Sequence, residues 1–164
     1  MTISETTLKK FSLVSAKPFA EVLAAVENKM GRPDMKAFFQ KMAASASYEA
    51  FQGVVHEAAG ESGLIQFLRL DMGAALAKDP AVKAFRIVRI LVGNPLVMKQ
   101  MVEHVPEAGS YVPVSILVYE SPDGVHLSCD LLESVLAPYG NVGATKIAHE
   151  LDAKIVTLLT DSAG

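Results

Sequence analysis

Residues 113–130 read PVSILVYESPDGVHLSCD, two runs of alternating apolar and polar residues joined by Ser-Pro-Asp-Gly. No other stretch constrains the fold as tightly. A period of two sends successive side chains to opposite faces of a strand, and a tight turn forces the two strands to pair antiparallel. The chain must therefore hold a sheet with one apolar and one mixed face. In the second run Leu127 and Cys129 share one face, and His126, Ser128 and Asp130 the other. A three-residue Pro122-Asp123-Gly124 turn would set Glu120 opposite His126; a two- or four-residue loop would set Tyr119 there.

The remaining pattern supplies partners for this hairpin. Residues 8–15 and 64–71 (LIQFLRLD) read as strands, as does the β-branched run 84–92 (AFRIVRILV). Helical spacing joins Phe19, Val22, Leu23, Val26 and Met30 over about 18–30, with Gly31-Arg32-Pro33 as its stop. Met35, Phe38, Phe39 and Met42 form a second stripe and Phe51, Val54, Val55 and Ala58 a third, hinged at 44–47. Together they predict a helical hairpin inserted at 31–63. Its Met and Phe stripes read as core or dimer contact, with a ligand-facing wall as the alternative. A short helix is expected over 73–78. Asn94 caps and Pro95 opens another, whose buried stripe is Met98, Met101, Val102 and Val105. The last helix, about 143–160, buries Ile147, Leu151, Ile155 and Leu158. This order predicts one α+β domain over 1–164, with a mostly antiparallel or mixed sheet covered by helices.

Charge and composition exclude several classes. Fifteen basic against eighteen acidic residues, with no basic run longer than Lys9-Lys10, leave no footprint for nucleic acid. The single cysteine permits no internal disulfide, so the cytoplasm is the expected compartment. The apolar run near the start is too short for a secretory signal. No stretch approaches the roughly 18 apolar residues of a membrane span. Yet 51% of the residues are hydrophobic and the mean hydropathy is +0.30, more than one small core absorbs, so a homodimer is expected.

The motifs VGNP at 92–95, PVSILVYE at 113–120, DGVHLS at 123–128 and LDMGAAL at 70–76 occur in an order and spacing that resemble the family catalogued as domain of unknown function 302. The resemblance covers about 5–30 and 64–140. It implies a small α+β domain, usually dimeric, with no established reaction. The chain departs from it twice. Asp71-Met72 stands where many members carry Asp-His, and Cys129 where they carry a tyrosine in the last strand.

Candidate site residues fall into three groups. Tyr119, His126, Ser128 and Asp130 line either a ligand cleft or a solvated or subunit-facing sheet surface; no sharp turn displays Ser128 as a nucleophile, so a catalytic triad is disfavoured. Gly93 and Asn94 precede a helix N-terminus, where Pro95 removes one donor and the cap occupies another, so a structural use is expected; an anionic ligand, if the protein takes one, would place its charge here. Arg69 and Asp71 share a strand face and would form the ionic wall of any cleft, with Arg86 and Arg89 on the neighbouring strand. Met72 follows them as a thioether that could ligate haem iron, although such a side chain more often only packs. Cys129 reads as a buried small hydrophobe. His56, His104, His126 and His149 lack metal-ligand spacing. The leading expectation is a non-enzymatic binding domain for a small apolar or anionic ligand or cofactor. A dimeric interaction module comes second, and an enzyme using His126, Ser128 and Asp130 third.

Overall fold

In the computed structural model, which describes residues 5–164, the alternating runs become a five-stranded antiparallel sheet. Its strands are β1 (Lys10–Ser15), β2 (Ile65–Asp71), β3 (Ile87–Gly93), β4 (Val114–Ser121) and β5 (Gly124–Asp130), in the order β1-β5-β4-β3-β2. The helices are α1 (Phe19–Asn28), α2 (Met35–Ala44), α3 (Tyr48–Ala58), α4 (Gly73–Leu76), α5 (Pro95–Val102), α6 (Leu132–Leu136) and α7 (Val142–Ala163). The α+β reading holds, and the sheet is purely antiparallel rather than mixed.

One face of the sheet carries the core. Val88, Ile90 and Val92 of β3, Ile116 and Val118 of β4, and Leu127 and Cys129 of β5 pack against Val22 and Val26 of α1, Met101 of α5 and Leu151, Ile155 and Leu158 of α7. Ser15 Oγ donates to Ala163 O at 2.6 Å, fastening the last turn of α7 to β1. On the opposite face most strand residues are half-buried or exposed. There the side chains of His126, Ser128, Leu117, Tyr119, Arg89 and Leu91 alternate out of the ladder.

The hairpin takes the two-residue loop. Ser121 pairs with Gly124, and Tyr119 stands opposite His126. Pro122 cannot adopt the positive φ of a primed turn. Gly124, at φ 141°, absorbs the backbone reversal instead, and a Cβ there would lie 2.7 Å from Ser15 O.

Several boundaries differ from expectation. Strand β3 begins at Ile87 rather than 84, because β2 leaves the sheet at Asp71 and residues 84–86 lose that neighbour. Strand β1 begins at Lys10, since its partner β5 ends at Asp130. Met98 is exposed rather than part of the buried stripe of α5, and Ile147 is only partly buried; in α7 the tighter contacts fall to Ala144 and Ala148. Phe39, expected on a packed stripe, is 51% exposed.

No local signal marks the start of helix α6, because Leu131 offers no side-chain cap. Its cap comes from afar: the buried carboxylate of Asp152 in α7 accepts from Leu132 N at 2.9 Å and Glu133 N at 2.8 Å. Burial pushes the Asp152 carboxyl up from its ordinary value, and these two N–H groups act against that rise.

The α2–α3 hairpin closes a second cluster, Phe38, Val55, Ile65 and Leu96. Two glycines join it to the sheet. Gly31 N and Gly60 N both donate to Leu64 O, at 2.9 and 3.1 Å, and Gly31 bridges Ile65. A Cβ on Gly31 would fall 1.8 Å from Ala58 O, so only glycine permits this approach.

Candidate functional site

Where β3 ends and β4 begins, the sheet, α2 and α5 leave a cavity of about 330 Å³. Each wall comes from a different element. The register of β2 against β3 shifts between Gln66 and Leu68, and Phe67, the extra residue of this bulge, meets the helical hairpin. Phe39 and Met42 project from α2 onto the same space. Met98 and Met101 come from consecutive turns of α5, and Val112-Pro113 forms the far side. The Phe39 and Phe67 rings stack at 6.4 Å and 27°, with Phe38 tilted against Phe67 at 6.5 Å.

The one polar side chain at this cavity, Asn94, is already engaged. Asn94 Oδ1 accepts from Leu96 N at 2.8 Å, and its Nδ2 donates to Gly63 O at 2.9 Å. Asn94 O accepts from Met98 N. Pro95 and Pro113 have no N–H. Gly93 and Asn94 thus lie at the cavity wall as structural residues, and neither the Asn94 cap nor Pro95 offers a free donor to an anion.

The other predicted residues do not join them. Arg69 and Asp71 lie on the helix-covered side of edge strand β2, where Arg69 Nε bonds Glu27 Oε1 at 3.0 Å and Asp71 Oδ1 accepts from Ala74 N at 3.0 Å. They are an ion pair and a turn cap, not the ionic wall of a cleft. Met72 stands exposed at the opposite end of β2 from the cavity. Arg86 precedes β3, pairs with Glu120 and sets its guanidinium 4.9 Å over the Phe19 ring; Arg89, on the open face, donates to Ser115 Oγ at 2.7 Å.

Tyr119, His126, Ser128 and Asp130 do share the open face, as the alternation requires. Their hydrogen bonds form no relay. His126 Nε2 bonds Asp123 Oδ1 at 2.8 Å and holds that carboxyl below its usual range, while Asp130 pairs with Lys10. Among the described residues no hydrogen bond links Ser128 to His126 or Asp130. The histidines are dispersed. His56 sits in the last turn of α3, His104 lies against Gly143, and His149 Nδ1 bonds Glu133 Oε2 at 2.9 Å. Among the described residues none of the four histidines lines the cavity. No group of three His, Cys, Asp or Glu among those residues could hold a metal ion, and no helix is long and apolar enough to cross a membrane. Cys129 is buried, and burial pushes its thiol up to about 12.

The family model described as "Domain of unknown function DUF302" matches residues 40–161, about three quarters of the chain. The chain belongs to the DUF302 family. A solved structure, "uncharacterized conserved protein DUF302 from Bacillus stearothermophilus", superposes with a TM-score of 0.66 at 10% identity, covering 94% of this chain and 98% of that one. At that identity the likeness is one of fold. No curated protein matches the sequence. In this DUF302 chain the bulge at Phe67 and the hairpin α2–α3 build the cavity. The Met/Phe pattern of α2 and the Gly93-Asn94 turn are the sequence signals that point toward it; Phe67 and Pro113 carry none, because their places depend on a bulge and on a loop.

Proposed function

We propose that the chain is a non-enzymatic binding protein for a small, mostly apolar molecule held in the cavity between α2, α5 and residues 112–113. The observation that carries this reading is a wall of Phe39, Met42, Phe67, Met98 and Met101 around about 330 Å³, at the lower end of the range typical of small-molecule sites. Native mass spectrometry of protein purified gently from its own host tests it. The expected result is a retained small mass in the wild type and its loss in Met98→Trp, where the larger side chain fills the mouth. Wild type that carries no added mass and takes up no apolar probe overturns the reading.

A second reading, a homodimer joined through the open sheet face, rests on a different observation. An uncovered antiparallel sheet usually presents polar residues to water. Here Val14, Leu68 and Leu70 are exposed on that face and Ile87, Leu91, Leu117 and Tyr119 half-exposed beside them. A second copy meeting this face about a two-fold axis would cover the apolar strip and account for the chain's high apolar content. Light scattering coupled to size exclusion should give a dimer for the wild type and a monomer for Leu117→Lys. A wild-type monomer at tens of micromolar sinks the idea.

A further inference from the structure

The walls of the cavity say more than that its occupant is apolar. Resting on the binding reading above, we infer that the ligand is a neutral, planar aromatic molecule of about two fused rings.

Charge comes first. Every side chain around the cavity is uncharged, the one polar side chain is the Asn94 amide, and both ends of that amide are spent on Leu96 N and Gly63 O. Two of the backbone positions at the wall, Pro95 and Pro113, have no N–H to offer. A carboxylate, phosphate or ammonium entering here would surrender its hydration without a replacement partner, so a charged ligand is selected against.

Size follows from volume. An apolar cavity of about 150 Å³ accommodates benzene. The 330 Å³ here is about twice that, which suits a bicyclic molecule.

Ring character follows from the wall chemistry. Phe39 and Phe67 already stack on one another at 6.4 Å and 27°, so a flat ring can extend the stack. Met42, Met98 and Met101 face the same space, and thioether sulfur makes favourable contacts with aromatic rings that a saturated ring does not receive. Phe39 and Met98 are 51% and 38% exposed, which puts two adaptable side chains at the solvent side, where a ligand must enter.

The test titrates full-length protein carrying ¹³C-methyl methionine with three probes of similar size: naphthalene, the anion 2-naphthoate, and saturated decalin. Naphthalene should shift the methyl signals of Met42, Met98 and Met101 through its ring current and bind about tenfold more tightly than decalin, the factor one good aromatic contact supplies. 2-Naphthoate should bind at least about tenfold more weakly than naphthalene. Decalin binding as tightly as naphthalene overturns the aromatic assignment and leaves the binding reading standing. 2-Naphthoate binding as tightly overturns the neutral assignment alone. If none of the three moves a methionine signal, the binding reading itself fails.

Discussion

The Tyr119 ring lies on the His126 imidazole across the β4–β5 pair, with centroids 4.8 Å apart and planes 19° from parallel. This contact exists because the two-residue loop puts the residues directly opposite; a three-residue turn would have brought Glu120 there. His126 is also tied to the turn through Asp123. The pair therefore reads as a clasp on the hairpin.

A double-mutant cycle with Tyr119→Ala and His126→Ala should give a coupling of about 0.5–1 kcal/mol, the usual worth of a stacked cross-strand pair. Urea unfolding of the four proteins measures it. Additive single-mutant losses would mean that the rings merely neighbour one another.

Asp152→Ala strips the partners from two backbone N–H groups at the start of α6. We expect a loss of about 1–3 kcal/mol, the cost of leaving buried donors unmet. The pH dependence has a definite sign. Because burial raises the native carboxyl above its unfolded value, the native state holds its proton longer, and the contribution of this group falls as pH rises from near 4 through the raised value. Asp152→Ala should therefore flatten that part of the stability profile, followed by denaturant midpoints across the acid range. A profile of unchanged slope would contradict the assignment.

Two glycine-to-alanine changes should act in opposite directions. Gly31→Ala forces a Cβ against Ala58 O and should cost about 2 kcal/mol or more, since backbone on both sides must move. In α3, Gly53 has nothing within 4 Å of its Cβ position, so Gly53→Ala should stabilise by about 0.5–1 kcal/mol through helix propensity. Thermal melts of both variants decide the matter, and equal shifts would refute the tight junction at Gly31.

Cys129 should resist thiol reagents. With its thiol buried and pushed up to about 12, native protein at pH 8 should react with a disulfide reagent only as fast as it opens, while unfolded protein reacts at once. Fast labelling of the native state would show that β5 is accessible from its core side.

The sequence and the structure agree where the information is local. Period-two alternation placed His126, Ser128 and Asp130 on one face and Leu127 and Cys129 on the other, and the antiparallel pairing of β4 with β5 preserved that division because register follows the buried side. Asn94 and Pro95 opened α5 as their backbone preferences require. Disagreement begins where a residue's role depends on a distant one. Asp152 caps a helix twenty positions earlier, and Arg69 answers Glu27 on α1.

By itself, then, the sequence determined the strands, most of the helices, the two-faced hairpin and the family, since propensity, periodicity and capping act over a few residues. Only the tertiary structure decided that Gly93 and Asn94 border an apolar cavity, that Arg69, Asp71 and Met72 lie apart from it, and that Phe67, Met98 and Pro113 belong together. A cavity is the space left between elements that meet from positions far apart in the chain, and no local pattern encodes its shape.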